Sequence, residues 1–130
     1  MSIEIGQKGY AEAIVTEDLT ARHAGSGELD VFAPPHMVAL RERAAWTSIQ
    51  PFLAVGQGSV GIAISVTHDA ATPVGRKVWA ESIVTAVEQK KISFSITAYD
   101  ACGVIGTGVH QRFIVDNEKF FNRCQKKHGA

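Results

Sequence analysis

The chain has no surplus of either charge, no long apolar run and very little cysteine. Thirteen basic residues balance thirteen acidic ones in 130. The basic excess of a general nucleic-acid binder is therefore missing, and no nucleic-acid partner is expected. No apolar stretch approaches the roughly 20 residues that a helix needs to cross a bilayer. The opening MSIEIGQKGY has neither the basic nor the apolar region of a signal peptide. A cytoplasmic protein with no membrane partner is the expectation. The two cysteines, Cys102 and Cys124, lack companion ligands at zinc-like spacing, so no metal site is expected. Reduced thiols, rather than a disulfide, fit such a compartment. None of the glycines falls at the spacing of a phosphate-binding loop; they mark turns, bulges and close backbone approach. Repeats, low-complexity tracts and linkers are also missing, which makes residues 1–130 a single domain.

What is present is enough apolar content for a real core: 45% hydrophobic against 20% charged residues. Loose alternation from Tyr10 to Thr16 predicts a strand, and the polar stretch Glu17 to Asp30 a loop. Pro34 and Pro35 then suit the first turn of a helix, where amide donors lack partners anyway. The helix is predicted over His36 to Phe52. Most of its circumference is apolar, interrupted by Arg41, Glu42 and Arg43, as in a largely buried helix. Gly56 and Gly58 mark the following turn. Four strands are predicted next, over Val60–Thr67, Arg76–Val87, Ile92–Tyr99 and Val104–Val115. Their short connections imply antiparallel neighbours in a meander. Asn117 to Lys127 reads as a short amphipathic helix or tail. A sheet with one apolar face must be covered, and the long helix is the available cover. The class is α+β.

Three places offer chemistry. By period-two alternation, Ile62, Ile64, Val66 and His68 share the apolar face of their strand when no bulge intervenes. His68 alone reads as easily as a strand-end histidine with a dull partner. Glu42 lies inside a helix suited to burial, where a carboxylate is costly unless paired. It either pairs locally with Arg41 or Arg43, or faces a cleft and works with an imidazole as a general base. The helix start is the third place. Its amides can bind a carbonyl oxygen that gains negative charge, and since Pro34 and Pro35 have none, the donors fall to His36, Met37 and the His36 imidazole. Arg112 shares a strand face with His110. It suits a phosphate, a carboxylate or an ordinary surface ion pair. Arg123, Lys126 and Lys127 form a basic end that is either a solvated tail or a contact for phosphates.

Three segments together resemble the thioesterase family that includes the fluoroacetyl-CoA thioesterase. They are FAPPHMVALRE (Phe32 to Glu42), GIAISVTHDAATPVG (Gly61 to Gly75) and GTGVHQRFIVDNEKF (Gly106 to Phe120). The second is the most specific, and the resemblance runs from about Val31 to Phe121. It implies a hot-dog fold, in which a curved antiparallel sheet wraps one long helix. It also implies a homodimer with active sites near the interface, hydrolysis of an acyl-CoA thioester, and no cofactor besides the CoA of the substrate. Carried over by position, Glu42 and His68 match the catalytic glutamate and histidine. Pro34, Pro35, His36 and Met37 match the substrate-contacting helix entry, Gly61 a glycine near the acyl pocket, and Arg112 the closing arginine. One departure stands out. Pro34 occupies the place of the family's catalytic threonine and has neither a hydroxyl nor an N–H. Water attack assisted by Glu42 or His68 remains as the hydrolytic route. The alternative is a weak or inactive module that binds acyl-CoA or another hydrophobic ligand.

Overall fold

A computed structural model describes residues 2–129. The elements are β1 (Lys8–Ile14), the short helix α1 (Ala21–Ala24), the long helix α2 (Pro34–Ile49), β2 (Gln57–Val66), β3 (Lys77–Glu88), β4 (Lys91–Asp100), β5 (Gly103–Asp116) and α3 (Asn117–Lys127). The strands form one antiparallel sheet in the order β1-β3-β4-β5-β2. Helix α2 lies across it and packs on β1, β3 and β4.

Local chemistry accounts for these elements. β4 alternates between buried and half-buried positions along its whole length, so Ile92, Phe94, Ile96 and Ala98 line the inner face. Pro34 and Pro35 open α2, where the lost N–H groups have no intrahelical partner to satisfy. Pro51 falls in the 3-10 turn Gln50–Phe52 that ends it. Asp116 caps α3 by accepting a hydrogen bond from the Lys119 amide. The core has two lobes. Phe32, Met37, Leu40, Ala44, Val78 and Ile105 form one. Ala45, Ile49, Val84, Ile92, Phe94 and Ile96 form the other. Small residues let the helix settle close: a Cβ on Gly9 would collide with the Ala44 carbonyl. That carbonyl also accepts a hydrogen bond from Ser82 Oγ at 3.1 Å.

The expected four-stranded meander is only partly present. β3, β4 and β5 are sequential neighbours, but β2 pairs with β5 and not with β3. A short link does not require a hairpin. The segment between β2 and β3 crosses the end of the sheet and is pinned there. Thr72, which is buried, donates to Asp100 Oδ2 at 2.7 Å, and Val31 bridges to Pro73. The helix is also less enclosed than its apolar circumference suggested. Met37, Leu40, Arg41, Ala44, Ala45 and Ile49 are buried, while Trp46 stands exposed on the other side. Neither expected local partner takes Glu42. Arg41 turns into the core, and Arg43 reaches across to the Glu12 carbonyl. No helix among the described residues is long and apolar enough to cross a membrane.

Candidate active site

The site is organised by a bulge in β2. Gly61 pairs with Arg112 and Ala63 with Gln111, so Ile62 is the extra residue. Gly61 and His68 are seven positions apart, an odd number that would send them to opposite faces of a regular strand. The bulge shifts the phase by one. Gly61, Ile64 and Val66 therefore all face the helix side, opposite Arg112, His110 and Gly108. His68 follows in the same phase just beyond the strand end, where the Thr67 amide still bonds the Thr107 carbonyl (2.9 Å) and the Asp69 amide the Ile105 carbonyl (2.7 Å).

Under Gly61 lies a polar cluster that links α2 to β5. Arg112, nearly buried, donates from Nε to Ser59 Oγ (2.7 Å), from Nη2 to the Ser59 carbonyl (2.9 Å) and from Nη1 to His110 Nε2 (3.1 Å). The same Nη1 lies 3.5 Å from Glu42 Oε2. His110 is buried, and its Nδ1–H donates to the Ala63 carbonyl at 2.8 Å. These two bonds fix the tautomer: proton on Nδ1, lone pair on Nε2 facing Arg112. Glu42 is the open member of the group, with 36% of its side chain exposed. A Cβ on Gly61 would lie 3.1 Å from Glu42 Oε2 and 3.2 Å from His110 Cε1. Such a Cβ would press on the carboxylate and on the His110 ring. The parity of His110 and Arg112 on β5 was visible in the sequence, but the role of His110 as the acceptor that steadies Arg112 was not. Neither was the contribution of Ser59.

His68 is placed differently. It is half-buried, and its Nδ1 is out of contact with water and has no hydrogen-bond partner. Leaving such an atom unpaired costs about 1–3 kcal/mol. Burial lowers the His68 pKa and the Arg41 charge lowers it further, against the pull of the Ala70 backbone and of Asp69. His110 is lowered too, first by burial and then by Arg112, against the pull of the Ala63 carbonyl and Glu42. Both histidines are therefore neutral in the folded state at neutral pH, while the unfolded chain takes up their protons near the ordinary histidine value of about 6.5. Stability is full above that value and is lost as pH falls below it toward the depressed folded values. Thermal melts taken from about pH 8 down to about pH 5 should show a flat Tm above that value and a decline below it. Replacing His110 with Gln should flatten part of the decline.

The helix entry offers less than the sequence suggested. Pro34 and Pro35 are exposed. The amides of His36 and Met37 both donate to the Ala33 carbonyl at 3.0 Å. They are thus spent within the first turn, which leaves the half-buried His36 imidazole as the donor that this turn can present. Met37 is buried in the core with its side chain against Gly106. The structure gathers Glu42, Gly61 and Arg112 into one cluster but does not bring His68 to it. The chain between Gly61 and His68 spans about 20 Å at strand rise.

The same fold and the same segments recur in proteins of known activity. The family model described as fluoroacetyl-CoA-specific thioesterase matches residues 15–118. The fluoroacetyl-CoA thioesterase of Streptantibioticus cattleyicolor is 35% identical over 98% of this chain and 96% of its own length. A crystal structure of the fluoroacetyl-CoA thioesterase, as a threonine-to-alanine variant in complex with fluoroacetate, superposes with a TM-score of 0.90 at 35% identity, covering 96% of this chain and 98% of that one. A thioesterase superfamily member from Thermus thermophilus superposes with a TM-score of 0.88 at 27% identity, over 99% of this chain and 98% of its own. One helix laid across a curled antiparallel sheet, in this strand order, defines a hot-dog protein of the thioesterase superfamily. Within it, the chain belongs to the fluoroacetyl-CoA-specific thioesterase family.

Proposed function

We propose that this protein hydrolyses an acyl-CoA thioester as a homodimer, with Glu42 of one protomer and His68 of the other acting on the same carbonyl. The observation that carries the proposal is the pairing of two incomplete halves on one strand. A carboxylate lies open in front of Gly61, and an imidazole with an orphaned nitrogen stands beyond Val66. They share a face but not a contact. β2 ends the sheet, and its outer edge carries the exposed side chains of Ile62 and Ile64. Free apolar edges of this kind recruit a second strand. Antiparallel pairing of two β2 strands about a two-fold at Ser65, with Ile62 bulged out of the count, sets Gly61 of one copy against His68 of the partner subunit. Residues directly opposite in such a pair project to the same side of the sheet.

In the shared site, Glu42 orients and deprotonates the attacking water, and His68 donates a proton to the departing thiolate. Arg112, itself steadied by His110, holds the carboxylate in place. Pro34 takes no part in proton transfer, so no acyl-enzyme forms there. Thiol release from a panel of short and medium acyl-CoAs, followed with a thiol-trapping dye, tests the reading. Turnover of at least one member well above the uncatalysed rate is expected; none would sink it. Pro34 also favours a second reading, in which the dimer holds acyl-CoA without turnover. Calorimetric binding of CoA esters without thiol release would select that one.

A further inference from the structure

Arg41 is the most deeply buried ionised side chain in the described residues, at 1% exposure. No carboxylate pairs with it among the described residues; its acceptors are all carbonyls. Nε donates to Met37 O at 3.3 Å, one turn back on its own helix. Nη1 donates to the Thr67 carbonyl and to the Thr107 carbonyl, each at 2.9 Å. Space for this is reserved: a Cβ on Gly106 would lie 2.8 Å from Arg41 Nη1 and would strike the Thr67 carbonyl. Asp69 offsets the Arg41 charge from beyond salt-bridge distance, but the cost of burial outweighs that pull, and an apolar side chain of similar length fills such a space at less cost. The stability of the core therefore gives no reason for an arginine here. Its bonds do give one. They tie α2 to the last ladder step between β2 and β5, and Thr67 is the residue directly before His68.

We propose that Arg41 is a positioning residue for His68: it clamps the Thr67 carbonyl, which fixes the backbone that carries the imidazole. Its charge adds to burial in disfavouring the protonated ring. The inference rests on the catalytic role of His68 proposed above. The charged groups that act on His68 are Arg41, from α2, and Asp69, from its own segment, which pulls the opposite way. From β5 the ladder presents only the uncharged Thr107 at this level. The clamp and the charge separate experimentally. Arg41→Met removes both and keeps the volume. Arg41→Lys keeps the charge but loses the rigid guanidinium, whose Nε holds the Met37 carbonyl while Nη1 holds the Thr67 and Thr107 carbonyls.

Three measurements are made on each full-length protein: kcat and KM with an acyl-CoA that the wild type turns over, Tm, and the titration of the His68 ring by NMR. Displacing a catalytic group by an ångström costs roughly 100-fold. Arg41→Met is therefore expected to lower kcat by roughly 10- to 100-fold with KM little changed, and to raise the His68 titration midpoint toward the ordinary histidine value. Arg41→Lys should lower kcat while leaving the midpoint where it is in the wild type. If Arg41→Met does not fold, the lysine variant carries the test through kcat alone. A wild-type kcat in either folded variant, or an unmoved His68 midpoint in Arg41→Met, overturns the proposal. The NMR titration needs no turnover. A shifted midpoint beside a fully active His68→Ala protein would instead refute the catalytic role of His68 and leave the coupling to Arg41 standing.

Discussion

Glu42→Ala and His68→Ala, each purified alone, will release thiol from acyl-CoA at least about 100-fold more slowly than the wild type, since each removes one of the two proton-transfer groups. Unfolded together in equal amounts and refolded, they will regain about a quarter of wild-type activity. The reason is geometric. A mixed dimer has one site that draws Glu42 from the His68→Ala subunit and His68 from the Glu42→Ala subunit, and that site is intact. Its other site has lost both groups. Random assortment makes about half of the dimers mixed, each with one of two sites working. If Glu42 and His68 served a single protomer's site, every site in the mixture would lack one group and nothing would be regained. Mixing without unfolding is the control, because it leaves the parent dimers unexchanged. Sedimentation of the refolded material must show dimers. A monomer at assay concentration with full activity would remove the shared site altogether.

The placement of Glu42 and His68 was legible because it follows from local patterns. Glu42 sits within a helical period and His68 at the end of a β-branched run, and neither assignment depends on what the rest of the chain does. The long-range arrangement was not legible in the same way. The ten-residue link between β2 and β3 looks like a wide hairpin, yet it carries Thr72 across to Asp100, and a buried hydroxyl–carboxylate contact leaves no mark in hydrophobic periodicity. The bulge at Ile62 is hidden for a similar reason. Ile62, Ile64 and Val66 alternate cleanly with Ala63 and Ser65, so periodicity puts Ile62 on the inner face, and only the register against β5 reveals it as the extra residue. The three charges of α2 show the limit most clearly. Consecutive residues on a helix point about 100° apart, so Arg41, Glu42 and Arg43 must face three ways. Which of them enters the core is decided by Gly106 and by the Thr67 and Thr107 carbonyls on distant strands.

Removing the guanidinium of Arg112 should have the next largest effect, and it should reach stability as well as rate. Arg112 is the hub of its cluster: Ser59 Oγ, the Ser59 carbonyl and His110 Nε2 all accept from it, and Glu42 lies 3.5 Å from Nη1. Arg112→Met retains most of the packing but leaves those acceptors facing one another. Each buried unpaired acceptor costs about 1–3 kcal/mol. Glu42 contributes less than a fully buried partner would, because water reaches it. A net loss of about 2–4 kcal/mol is expected from denaturant unfolding. With the cation gone, nothing fixes the carboxylate in front of Gly61, and kcat should fall roughly 100-fold. Arg112→Lys separates charge from geometry. An ammonium can satisfy Glu42 or Ser59 but not the whole fork, so the lysine variant should regain stability before it regains rate. Equal recovery of both would mean that Arg112 acts as a simple counter-charge, and the ordered acceptor set around it would have no part in holding Glu42.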